Sequence, residues 1–285
     1  MNFLHRRWVV SFLLPMAAAL SLRAQAPSDP ALRSKLGSAV FAWEDVAIKP
    51  GATKAGRSIV NRPTATLDIF ESHVTSLNPG VPSHSPHRHA QEEFIILREG
   101  TLEVTINGRS QVAGPGSLLF YASNDFHHVR NVGKGPATYL VFNYRTAATA
   151  MAPERSAAES AAPGTLRSSV FDWEKLAATA TKTGERRGIC NGPTVTLLNL
   201  EAHVTTLRPG EAPHASHRHP DEELIVVKEG LIEATINGRV QRAGPGSIFF
   251  FASNDEHGLR NVGASTATYH VVRMVTAATP KRAIP

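Results

Sequence analysis

The chain repeats itself. Shifted by 130 residues, residues 41–133 lie on residues 171–263 without a gap, and 50 of the 93 aligned positions are identical. Agreement at that level is not a product of composition, so the chain consists of two copies of one folding unit. Between the copies, residues 147–166 (AATAMAPERSAAESAAPGTL) are rich in Ala, Ser, Pro and Glu and carry no strand periodicity, which marks a linker. The expected organisation is an N-terminal domain over 27–146, the linker, a C-terminal domain over 167–276 and a tail over 277–285.

The first 26 residues stand outside that scheme. Arg6 and Arg7 precede an apolar run from Trp8 to Leu22 that ends in Ala24-Gln25-Ala26, the pattern of a Sec-type signal peptide. Pro15 interrupts the run, which falls short of the roughly 18 apolar residues of a membrane span. Pro27 directly after Ala26 is awkward for a signal peptidase, so cleavage after Ala24 and an uncleaved anchor both stay open. The expectation is a secreted or periplasmic protein with no stable membrane span in the mature chain.

Removing residues 1–26 takes away three arginines and no acid, which lowers the formal charge from +6 to +3. The remaining basic residues are scattered singly with no aromatic interleaving, so no nucleic-acid partner is implied and small-molecule chemistry is the better class. One cysteine, Cys190, excludes an internal disulfide; its counterpart in the repeat is Val60, so it reads as a small core residue.

Within each unit the apolar period is two. Leu102, Val104 and Ile106 alternate with Thr101, Glu103 and Thr105, the signature of a half-buried strand. Asn107-Gly108 and its repeat Asn237-Gly238 then supply the positive φ angles of a two-residue hairpin, and Gly114-Pro115-Gly116 marks a second turn. Each unit is thus about 110 residues of short antiparallel strands, an all-β barrel or jelly roll whose closure disposes of sheet edges.

The chemistry sits on these strands. His87, His89 and Glu93 are spaced by two and four residues, so an extended backbone would point all three to one face. His127, beyond the hairpin, can meet them from a neighbouring strand, and the second copy repeats the set as His217, His219, Glu223 and His257 with every spacing unchanged. Three imidazoles and a carboxylate suit a divalent transition ion (Mn, Fe, Co, Ni, Cu or Zn), two per chain, and an octahedral ion would keep two positions open for substrate.

His87-x-His89-x3-Glu93-x6-Gly100, followed by His127-x3-Asn131, resembles the two motifs of the cupins, and His217, His219, Glu223, Gly230, His257 and Asn261 match in the second copy. The usual second motif has Pro-x-Gly two residues before its histidine, whereas here Pro115-Gly116 lies ten residues ahead of His127, which predicts a longer turn-to-ligand loop. The chain is similar to the bicupins: two tandem double-stranded β-helix barrels, each with a 3-His-1-Glu metal site. What that resemblance implies for activity is an oxygen-dependent dioxygenase of quercetinase type first. A manganese oxalate decarboxylase or oxidase comes next, although no segment carrying a mobile acid is identifiable; Glu256, next to His257, is a conceivable acid. Ureidoglycine hydrolysis is disfavoured by two complete sites, and a non-enzymatic metal- or ligand-binding protein stays open. Monomer and homo-oligomer are both compatible with the family.

Other repeated residues are candidates for supporting roles. His84 and His214 could lie behind the ligands, although strand parity would turn them away. Asp125 and Asp255, two residues before a ligand histidine, could orient an imidazole or serve the turn. His73 and His203 face either the lumen or the outside; Arg130 and Arg260 alternate outward. Phe120, Tyr121, Phe250 and Phe251 read as barrel packing, and His128 against Gly258 predicts unequal access to the two sites. If the barrels are separate, each site loads with metal independently.

Overall fold

The computed structural model describes residues 34–281 apart from 49, 50 and 52, so the signal peptide expected over 1–26 lies outside the described residues. The first half contributes β1 (Ala39–Phe41), β2 (Lys54–Arg62), β3 (Ile69–Leu77), β4 (Glu92–Glu99), β5 (Leu102–Ile106), β6 (Arg109–Ala113), β7 (Leu118–Tyr121), β8 (His127–Asn131) and β9 (Ala137–Arg145). The second contributes β10 (Ser169–Phe171), β11 (Ala178–Ala180), β12 (Gly184–Gly192), β13 (Asn199–Leu207), β14 (Glu222–Glu229), β15 (Ile232–Ile236), β16 (Arg239–Ala243), β17 (Ile248–Phe251), β18 (His257–Asn261) and β19 (Ala267–Val275). Each half is a jelly roll: a large sheet faces a three-stranded one, β6-β5-β8 or β16-β15-β18. The linker holds two short helical turns, Ala147–Met151 and Ala157–Ser160.

The turn chemistry is as the sequence predicts. Asn107 (φ 47°) and Gly108 (φ 77°) close the β5–β6 hairpin, and Asn237 and Gly238 repeat them. Gly100 is required by space as well as by conformation: its φ is +87°, and a Cβ there would stand 2.4 Å from the Cα of Ala137.

The large sheets exchange their outermost strands. They run β10-β7-β4-β9-β3-β2 and β1-β17-β14-β19-β13-β12-β11, so β1 of the first half pairs with β17 of the second, and β10 of the second with β7 of the first. Each exchanged arm ends in a tryptophan seated on the other half. Trp43 covers Gly246 beneath Arg98, whose guanidinium lies 4.2 Å from the ring, and Trp173 covers Gly116 with the Lys228 ammonium 4.4 Å away. The turns at Gly116 and Gly246 lack a Cβ where the indole rings pack.

Three apolar cores result. Ile95, Leu97, Leu102 and Val104 fill the first barrel; Ile225, Val227, Ile232 and Ala234 fill the second. The opposite faces of the same strands, with Phe70, Phe94, Phe120, Leu200, Leu224 and Phe250, form a core shared by both halves, and Phe70 stacks on Phe250 at 5.3 Å. This is why β4 and β14 read as unbroken apolar runs: both of their faces are buried. Phe120 and Phe250 accordingly pack between the barrels rather than inside them, and Cys190 packs against this shared core.

Two carboxylates latch the seam. Glu92, fully buried, accepts hydrogen bonds from the hydroxyls of Thr194 (2.5 Å) and Thr196 (2.6 Å) and the Val195 amide (3.1 Å) of the second half. Glu222 accepts the mirror set from Thr64 (2.6 Å), Thr66 (2.8 Å) and the Ala65 amide (3.0 Å). Several donors per carboxylate offset part of the desolvation, which still holds both carboxyls above their ordinary value.

Candidate functional site

The first half gathers His87, His89 and His127, with one ring nitrogen from each lying within 4.8 Å of the others; His217, His219 and His257 form the same group in the second. The chain reaches this arrangement differently from a straight strand. The backbone bends at residues 90–91 and β4 begins only at Glu92, so His87 is placed by a lone antiparallel bridge to His127. That bridge carries amide-to-carbonyl bonds of 2.9 and 3.3 Å. Glu93 then enters from β4, its Oε2 3.7 Å from His89 Nε2, and Glu223 lies 3.3 Å from His219 Nε2.

The approach to His127 also differs from expectation. No long loop precedes it, because β7 occupies residues 118–121. The residue three before the histidine, where the usual motif has its glycine, is Asn124 at φ 62°, repeated by Asn254 at φ 63°. Asparagine is the non-glycine residue best suited to that left-handed turn. The Pro-Gly pair expected to fill this role belongs to the preceding turn.

Backbone carbonyls fix the rings. The Nδ1–H of His89 donates to Gln91 O (2.8 Å), that of His127 to Asp125 O (2.8 Å), and those of His219 and His257 to Asp221 O and Asp255 O (2.9 Å each). Nε2 is thereby directed inward, and in His127 and His257 it is buried with no hydrogen-bond partner. An orphaned buried acceptor costs about 1–3 kcal/mol unless a ligand takes it, so the donor set fits a cation. Tyr121 and Phe251 stack flat on His127 and His257 at 4.2 Å, a role beyond packing.

Electrostatics divide the rings: burial leaves His127 and His217 with free lone pairs, whereas Glu93 outweighs burial to raise His89, and a cation would have to displace the proton that His219 carries. Burial pushes His127 down to about 4, so its lone pair is free at neutral pH. For Glu93, burial works upward, but the His89 hydrogen bond and the neighbouring imidazoles outweigh it and hold the carboxyl below its ordinary value. In the second half His217 is pushed down to about 4 by burial, whereas Asp221 and Glu223 overcome burial to raise His219 to about 9.

Each group opens into a cavity, of about 460 Å³ in the first barrel and about 330 Å³ in the second. His73 and His203 face these lumens. His73 Nδ1 lies 2.9 Å from Glu71 Oε1 and His203 Nδ1 2.8 Å from Glu201 Oε1. These glutamates were legible as a repeated Glu-x-His, yet nothing local tied them to the ligand motifs. Lys54 and Arg145 also line the first cavity, with Gly184 and Val275 at the matching positions of the second half.

The remaining candidates divide. His84 and His214 are exposed but pack edge-on against His87 and His217 at 4.0 and 4.3 Å; strand parity does not apply because the segment is not a strand. For Asp125 and Asp255 the carbonyl orients the imidazole while the carboxylate serves the turn, accepting the hydroxyl of Ser168 (2.5 Å) and Ser38 (2.6 Å) from the exchanged arms. Arg130 is exposed and pairs with Glu103 at 3.1 Å, and Arg260 bonds Gly210 O. Glu256 is turned to Arg218 at the surface, 2.9 Å away, and lines neither cavity.

A two-barrel jelly roll with a three-histidine group and a neighbouring glutamate in each barrel is the architecture of a bicupin. The cupin domain family model matches residues 73–143 and 203–273, and the chain belongs to the cupin superfamily. Among solved structures, it is similar to an oxalate decarboxylase of Lactobacillus farciminis in complex with formate (15% identity, TM-score 0.61, 86% of this chain and 88% of that one). It is also similar to the protein Ylba of E. coli (11%, TM-score 0.65, 90% and 97%) and to AerE of Microcystis aeruginosa (13%, TM-score 0.60, 80% and 95%). At these identities the likeness is one of fold. No curated protein matches the sequence. Among the described residues no helix is long and apolar enough to cross a membrane.

Proposed function

We propose that this bicupin is a metal-dependent enzyme acting on a small chelating organic molecule, with dioxygenase-like chemistry of quercetinase type as the first reading. The observation that carries it is the convergence of three imidazoles, two of them oriented by backbone carbonyls, and Glu93 on the wall of a cavity of about 460 Å³, a volume within the range of small-molecule sites. In this reading His87, His89, Glu93 and His127 hold one divalent ion, and His217, His219, Glu223 and His257 a second. A Mn, Fe, Co, Ni or Cu ion so held supplies a Lewis-acidic, redox-capable centre with positions left for a chelating substrate.

The chain's own residues prepare that site. The carbonyls of Gln91 and Asp125 hold the rings, Tyr121 braces His127, and Ile95, Val129 and Val141 give the cavity an apolar wall that limits water. His73, supported by Glu71, is the wall's acceptor for a substrate hydroxyl proton. A second reading, a manganese oxalate decarboxylase-like activity, is favoured by Lys54 and Arg145, cations suited to a carboxylate substrate. It is in keeping with the fold likeness to oxalate decarboxylases, one of which has Mn(II) centres.

The test is elemental analysis of the protein, followed by oxygen uptake with chelating phenols and carbon dioxide release from oxalate. Bound Fe, Ni, Cu or Mn with phenol-dependent oxygen uptake supports the first reading. Oxalate turnover without it replaces that reading with the second, and absence of bound metal overturns both. Export through residues 1–26 belongs to the same proposal and is read by N-terminal sequencing of protein recovered outside the cytoplasm, which should begin after Ala24 or Ala26.

A further inference from the structure

Of the differences between the two barrels, one sets an arginine within 4 Å of the carboxylate beside the histidine group; Lys54 and Arg145, which line only the first cavity, form no ion pair with Glu93 among the described residues. In the first, a row of side chains in register crosses five strands: Asn61, Glu71, Asn143, Glu93 and Tyr121. The second repeats it as Asn191, Glu201, Arg273, Glu223 and Phe251. Cross-strand neighbours on one face stand about 5 Å apart, so the middle residue of each row lies between two glutamates, one of them the carboxylate of the histidine group.

In the first barrel that middle residue is a neutral amide. Asn143 donates to Glu71 Oε2 at 3.0 Å and places no charge beside Glu93. In the second it is a guanidinium: Arg273 Nε lies 2.7 Å from Asp221 Oδ2 and 3.9 Å from Glu223 Oε2. Asp221 in turn has Gln91 as its counterpart, and its Oδ1 stands 3.3 Å from His219 Nδ1. The second half has thus acquired an ion pair, Asp221–Arg273, where the first is uncharged. Arginine is permanently protonated, and at least half of this one is shielded from water, so its charge is screened less than a surface charge.

We infer that Arg273 is a resident cation that weakens the second metal site, so that the chain holds one transition ion tightly, in the first barrel, and a second only at higher metal concentration. A divalent ion among His217, His219 and His257 would share Glu223 with the guanidinium and meet it across a partly buried gap, where like charges repel strongly. Asp221 offsets part of this, but its nearer partner is Arg273 itself. The inference rests on the metal-binding reading above and ranks the two sites within it.

The test is titration of the metal-free protein with Co²⁺, read by its visible absorption and by calorimetry, on the whole chain and on five variants. The expected result is one tight site and one at least tenfold weaker. His87→Ala with His89→Ala removes the tight site; His217→Ala with His219→Ala leaves it. Arg273→Asn tightens the weak site by tenfold or more, Arg273→Lys, which keeps the charge, leaves it weak, and Arg273→Asn with Asp221→Gln, the first barrel's pair, brings the sites to within about threefold. Two equal sites in the natural chain, loss of the tight site from the second-barrel histidine variant, or no gain from Arg273→Asn in a protein with unchanged circular dichroism would overturn the ranking alone. No binding at either site in any variant would overturn the metal reading itself.

Discussion

His270 offers a sharp test of how the halves are joined. Its ring is fully buried at the seam, its Nε2 2.8 Å from the carbonyl oxygen of Gly116 in the other half, and burial pushes it down to about 4 from an ordinary value of 6.5. A histidine depressed in the folded state stays neutral while the unfolded chain takes up its proton, so stability is intact above pH 6.5 and falls as the pH drops from 6.5 to about 4. Between pH 7 and pH 4.5 the loss from this residue is about 2 kcal/mol. The sister position is Leu140, so His270→Leu installs a residue that the fold already accepts there. At pH 7 the variant should unfold within about 1 kcal/mol of the natural chain, the worth of one hydrogen bond. At pH 4.5 it should be more stable than the natural chain by about 2 kcal/mol. The assay is urea unfolding at both pH values with EDTA present. Other depressed histidines, such as His127 and His217, titrate in both proteins and cancel in the comparison. Parallel loss of stability in the two proteins would refute the reasoning.

Three further outcomes follow from described contacts. Gly100→Ala, forced onto φ +87° and into Ala137, should cost about 3 kcal/mol or more and lower the Tm by about 8 °C in a thermal melt. Cys190, pushed up to about 12 by burial, should resist iodoacetamide at pH 8 in the native protein and react only after denaturation, as mass spectrometry would show. Ser168→Ala frees the turn whose carbonyl orients His127, so metal affinity in the first barrel should fall by about threefold to tenfold while the second barrel is unaffected; Ser38→Ala should do the reverse.

What the sequence disclosed was whatever depends on spacing along the chain. The duplication, the Asn-Gly hairpins and the two histidine groups are all local patterns, and the structure brings both groups together. Strand parity does not hold for His84 because the chain bends there, and no long loop precedes His127 because Asn124 does the work expected of a glycine. The shared core is not legible in the sequence for a different reason. An apolar run such as Phe94–Leu97 has the same appearance whether its second face meets a neighbouring domain or its own barrel, and nothing in β1 or β10 announces which sheet it will join. Arg273 was visible as a difference between the copies, but its meaning depends on cross-strand register, which no single strand reveals.

The exchanged arms make each half an incomplete object. A half-length chain would carry a strand with no sheet to enter and a sheet edge at β7 or β17 with no cover, and the simplest cure is a second identical copy, each clasping the other about a twofold axis. The intact chain is that pair with its members tethered, and the tether adds local concentration to contacts of its own, among them Ala157 buried in the shared core and the Pro153 carbonyl that accepts from the Asn124 side chain. Cutting it anywhere between residues 150 and 156 would leave two fragments that still purify as one particle, whereas deleting the arm strand Ala39–Phe41 would uncover β17 and loosen the second barrel.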